Sequence, residues 1–83
     1  MQRSEIETGI SKVLSKISLV GHENIKPTDK LKIYVPPQAV LIFALRVDQE
    51  FPNVDLTDLT NSLYDPLATV NDLVGYIYDV YNP

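Results

Sequence analysis

Prolines at positions 27, 36, 37, 52 and 66 divide this 83-residue chain, and no regular helix runs through any of them. A proline in a helix interior removes a backbone donor and drives its ring into the preceding turn. Each proline-free stretch must therefore be read for its own period. In the first of them Ile6, Ile10, Val13, Leu14 and Ile17 recur at three- and four-residue steps, which stacks them on one face of a helix while Lys12, Ser15 and Lys16 face outward. Ser4-Glu5-Ile6-Glu7 has the form of a capping box, so the expected helix runs over residues 4–18. Gly9 weakens it by roughly 1 kcal/mol relative to alanine without ending it. Gly21 marks its stop.

The three prolines between His22 and Pro37 predict a long loop there, and its apolar residues Ile25, Leu31, Ile33, Tyr34 and Val35 predict that it packs down on the rest. Leu31-Lys32-Ile33-Tyr34-Val35 also alternates in the manner of a short strand, although no second strand is evident to pair with it. Pro37 suits the first turn of a second helix, which runs from Gln38 to Phe51 and ends at Pro52. Asn53, Asp55, Thr57 and Asp58 form a polar turn that caps a short third helix carrying Leu59 and Leu63, stopped by Pro66. Thr69 caps the last helix, with Asp72 favouring its positive end. Val70, Leu73, Val74, Ile77 and Val80 form its inner face, and Tyr76, Tyr78 and Tyr81 surround them.

These elements predict an all-α four-helix bundle, with a long loop between the first two helices, in one domain spanning 1–83. Hydrophobic residues make up 45% of the chain and charged residues 22%, a globular balance that argues against disorder. With no cysteine, neither a disulfide nor a thiolate metal site holds so small a domain, and packing alone must do so. The net charge of -4 disfavours nucleic acid and anionic membrane, which bind through Lys and Arg, and favours a basic protein surface as partner. The first ten residues have neither the apolar run of a signal peptide nor that of a membrane span, which predicts a cytoplasmic protein.

The order of helices resembles that of the acyl carrier protein family, and two local patterns carry the likeness. Leu45-Arg46-Val47-Asp48-Gln49-Glu50-Phe51 is similar to the end of that family's second helix. Ala68-Thr69-Val70-Asn71-Asp72-Leu73-Val74-Gly75-Tyr76-Ile77 is similar to the capped start of its last. The resemblance implies a carrier fold and a serine, in an Asp-Ser-Leu motif opening the second helix, that is esterified to phosphopantetheine. Counting back from Phe51, that serine position falls on Pro37, with Pro36 where the family has aspartate and Gln38 where it has leucine. Proline has no hydroxyl, so no phosphodiester forms there and no cofactor is expected. The glycine-rich turn that leads into the family's motif is absent too. Ser4, Ser11, Ser15, Ser18 and Ser62 all lie elsewhere than the start of the second helix and read as caps or solvated positions.

No enzyme is expected from these residues. His22, the single histidine, stands in a loop with no cysteine and no orienting third group, and reads as a surface residue. Asp55 and Asp58, or Asp48 and Glu50, lack the loop pattern of a calcium site and read as helix caps and solvated charges. The unusual element is the second helix. From Ala39 to Leu45 all seven residues are apolar, so apolar surface runs right round it. Leu41, Phe43, Ala44, Val47 and Phe51 match the family's core positions. Ala39, Ile42 and Leu45, with Arg46 and Asp48, are left on the face that carriers turn toward partner enzymes. Either Tyr34 and the shortened loop cover that face, or it contacts a protein partner or a second copy. The expected function is a carrier-like interaction module without an arm, with enzymes of acyl or polyketide assembly among its candidate partners. An unconventional acyl carrier of fatty-acid or polyketide-type biosynthesis and a small acidic helical regulator are the alternatives.

Overall fold

A computed structural model of the chain describes residues 2–54 and 68–83. Among them are three α-helices, α1 (Arg3–Ser18), α2 (Val40–Glu50) and α3 (Val70–Tyr81), and three short 3-10 turns, at His22–Asn24, Leu31–Ile33 and Pro37–Ala39. The described residues form no strand; the nearest approach to one is an isolated antiparallel bridge between Lys30 and Thr69. The all-α reading holds. The short helix expected around Leu59 and Leu63 lies outside the described residues.

The three helices share one core. Ile6, Ile10 and Leu14 of α1, Phe43 and Val47 of α2, and Leu73, Val74 and Ile77 of α3 are almost wholly removed from water. The α1 helix packs against both of the others. Side chains of this size contribute about 1.5–3 kcal/mol each when fully buried.

The α1 cap is displaced from its expected place. Gln2 is the N-cap, and its N–H donates to the Glu5 carboxylate at 3.4 Å. Ser4 lies inside the helix, where its carbonyl accepts from the Thr8 hydroxyl. The earlier start puts Arg3 in the first turn, and from there its guanidinium donates to both the carbonyl and the side-chain oxygen of Asn71, at 3.3 and 2.7 Å. The earlier start thus joins the beginnings of α1 and α3. The far end is also closed by an unexpected residue: Leu19, at φ 64°, takes the left-handed position, and its N–H donates to Ser15. Gly21 has a negative φ and opens the next 3-10 turn.

The segment from 25 to 35 is strapped onto the start of α3. Pro27 and Asp29 carbonyls accept from the amides of Asn71 and Val70, and the Leu31 amide donates to Ala68, all at 2.9 Å. The first amides of a helix have no partner within it, so these loop carbonyls fill a need that the helix itself cannot. Thr69 and Asp72 complete the end as expected, each side chain accepting the other's amide at 3.2 and 3.0 Å. Leu31-Lys32-Ile33 turns as a 3-10 helix rather than extending as a strand, with the Tyr34 and Val35 amides both donating to the Leu31 carbonyl.

Tyr34 is buried and donates its hydroxyl to Asp29, which also accepts the Lys26 amide. Those bonds hold the Asp29 carboxyl below its ordinary value of 3.8, the tyrosine hydroxyl first and the Lys26 amide next. The same Asp29 hydrogen bond holds the Tyr34 hydroxyl above 10.0. A depressed carboxyl stabilises the fold at neutral pH, and this contribution fades as pH falls below 3.8. A raised phenol acts oppositely: its contribution is present below pH 10.0 and fades above it. Tyr34→Phe should therefore lower stability at neutral pH and reduce its loss toward both extremes, as measured by urea unfolding at a series of pH values.

Gly9 earns its place by what it touches. A Cβ on it would lie 2.6 Å from the Phe51 ring, closer than atoms approach, and Phe51 is buried and edge-on to Tyr81. Gly9→Ala should consequently destabilise the protein by roughly 1–3 kcal/mol, against alanine's better helix propensity. Thermal unfolding followed by circular dichroism measures the sign.

Candidate functional site

Helix α2 is entered through Pro36 and Pro37. Pro36 is extended, with φ -68° and ψ 161°, and the turn Pro37–Ala39 leads directly into α2. The expected helix from Gln38 thus begins as a 3-10 turn and becomes α-helical at Val40. Both prolines lack an amide, Ala39 donates to Pro36 at 2.8 Å, and Val40 donates to Pro37. Among the described residues the Gln38 N–H makes no backbone hydrogen bond. A helix start ordinarily offers several amides to an anion; here two of the entering residues are prolines, with neither amide nor hydroxyl.

The inner side of α2 consists of Val40, Phe43, Ala44 and Val47, followed by Phe51. Leu41 was expected on that side and is instead 68% exposed. Val40 stands three and four residues ahead of Phe43 and Ala44, the spacing that shares a face, whereas Leu41 is turned about 100° away from it. Ile42 is 53% and Leu45 48% exposed, so the outward side carries a contiguous aliphatic group at 41, 42 and 45. Ala39 does not belong to that group, because it is half-buried and packed against the core. Arg46 is exposed and Asp48 half-buried, on opposite flanks of the aliphatic stripe, and Gln38 and Gln49 are exposed at its ends, while Glu50 lies on the side of α2 that meets Gly9 of α1. Among the described residues neither Arg46, Asp48 nor Glu50 forms an ion pair.

Tyr34 and the proline loop do not cover this face. Tyr34 is turned into the core and held by Asp29. The alternative in which the loop buries Ile42 and Leu45 is overturned by the exposure of both residues; the loop is bonded instead to the start of α3. Changing both residues to glutamate should leave the helical spectrum intact and shift the melting temperature by no more than a few degrees, since surface substitutions alter stability by about 0.5 kcal/mol or less.

His22 is exposed, its Nδ1 3.5 Å from the Glu23 carboxylate. Among the described residues no three of His, Cys, Asp and Glu converge on a point where a metal ion could sit. A shallow cleft of about 260 Å³ lies between α1, the 22–27 segment and the start of α3. Its one carboxylate, Glu7, faces Arg3 at 4.0 Å. Among the described residues no helix is long and apolar enough to cross a membrane.

No family model, curated protein or solved structure matches the chain.

Proposed function

We propose that the protein is an acyl-carrier-like four-helix module without a phosphopantetheine arm, acting by docking another protein on the outward side of α2. The carrying observation is the exposure of Leu41, Ile42 and Leu45 on a helix whose opposite side is sealed into the core. Contiguous aliphatic surface of this kind on a small protein marks an interface more often than a solvated face. The two prolines support the absence of the arm, since they remove the nucleophile and most of the amides that would hold its phosphate. A cofactor-free carrier fold retains a surface and loses its chemistry. The resemblance puts enzymes of acyl or polyketide assembly first among partner classes.

Asp48 on the flank of the stripe, and the net charge of -4, select the partner's character. It presents aliphatic anchors with basic side chains beside them. A synthetic amphipathic helix with leucines on one side and lysines at the margins is a direct probe. Titrated into isotope-labelled protein, it should produce saturable amide shifts concentrated on residues 41–49, weakened by salt and absent in the Ile42→Glu/Leu45→Glu variant. Shifts that spare α2, or that persist in that variant, overturn the reading.

A further inference from the structure

No residue of α2 lines the cleft between α1, the 22–27 segment and the start of α3, and the walls of that cleft divide by chemistry. Ile25, Pro27 and Val70 form an apolar floor, with Ile25 and Val70 belonging to the core. Glu7, Thr8, Ser11 and His22 stand around it. The first three neighbour one another because positions three and four apart share a side of a helix. The 3-10 turn that begins at His22 brings the fourth.

Free protons are scarce on that rim. The Glu7 carboxylate only accepts, and the Thr8 hydroxyl spends its proton on the Ser4 carbonyl at 3.0 Å, which leaves its oxygen to accept from elsewhere. His22 Nδ1 faces the Glu23 carboxylate at 3.5 Å. That carboxylate is folded back over Gly21, where a Cβ would stand 2.6 Å from it. A carboxylate beside Nδ1 favours the proton there and leaves Nε2 as an acceptor. Ser11 adds a hydroxyl that accepts as readily as it donates. No lysine or arginine lines the cleft. Arg3 reaches Glu7 only at 4.0 Å, between side chains each 41% exposed, a pairing of little strength, and its guanidinium is already committed to Asn71 at 2.7 Å. A ligand that fits this rim must bring the donors.

Size narrows the class. A volume of about 260 Å³ exceeds several waters at roughly 30 Å³ each, yet falls short of the roughly 300–1,000 Å³ of sites for cofactors and drug-sized molecules. We infer that the cleft binds a primary aliphatic ammonium, its N–H groups turned to the Glu7 carboxylate and the acceptors beside it, its methylenes on Ile25, Pro27 and Val70. This inference does not rest on docking at α2. The net charge of -4 draws a cation toward the chain. A free short amine and the lysine side chain of another molecule present the same group.

Titration of n-butylammonium chloride into isotope-labelled protein tests the assignment. Saturable amide shifts are expected at residues 7, 8, 11, 22, 25 and 70, with a dissociation constant on the order of 1–10 mM. Butyrate, with the opposite charge, and 1-butanol, with none, should bind at least about tenfold more weakly. Glu7→Gln should weaken amine binding about tenfold and Thr8→Val about threefold, with circular dichroism verifying that each variant folds. Nα-acetyl-lysine methylamide separates the two sources: binding as tight as that of butylammonium assigns a lysine side chain, and lost binding assigns a free amine. Absence of saturation up to about 100 mM overturns the inference, as do shifts spread equally to Asp48, Glu50 and Asp79, butanol binding as tight as the amine's, or undiminished binding in Glu7→Gln. The leucine–lysine peptide should map to α2 of Glu7→Gln as it does in the wild type, so the two sites fail separately.

Discussion

Three backbone hydrogen bonds between residues 27–31 and 68–71 hold the arrangement of this fold. A loop rich in proline has carbonyls without partners, and the start of α3 has amides without partners. Each satisfies the other, and neither would be stable in a buried position alone. Their consequence reaches beyond the contact. With the loop fastened to α3, Leu31, Tyr34 and Val35 are carried into the core, and the chain arrives at Pro36 from a fixed direction. The orientation of α2 about its own axis follows, and with it the identity of the residues left facing water.

The entrance to α2 is where the carrier resemblance and the physics of this chain part company. Two consecutive prolines set the backbone for a helix start without any capping side chain, because they have no amides to be capped. An entrance built of prolines offers no hydroxyl and few amides, so this helix end has little anion-binding character. What remains is a rigid approach and an apolar surface. That surface is not hidden by the preceding loop, whose tyrosine is turned the other way.

Much of the fold was legible because its signals were local. The period of Ile6, Ile10, Val13 and Leu14, the Thr69 cap with Asp72 beside it and the boundaries at Pro37 and Pro52 all act within a few residues, and all appear as expected. The departures arise where distant residues decide. Gln2 caps α1, and the earlier start brings Arg3 to Asn71, sixty-eight positions away. Leu19 closes α1 in a conformation that glycine ordinarily supplies, and no property of leucine foretells that. For the candidate site, Ile42 and Leu45 were visible in the sequence, whereas Leu41 was assigned inward through the carrier likeness. Counting helical steps back from Phe43 and Ala44 would have found Val40 in its place. Ala39 was assigned outward for the same reason and faces the core.

The contact between Gly9 and the Phe51 ring ties two helices together through an absence. No side chain at position 9 is compatible with a phenylalanine at 51 in its present pose, and a smaller residue at 51 would leave a void beside the glycine. Changes at the two positions are therefore not independent events in the history of such a chain. One can drift only in the wake of the other, so the pair behaves as a single inherited character, and its record in related sequences would be correlated size rather than conservation of either residue.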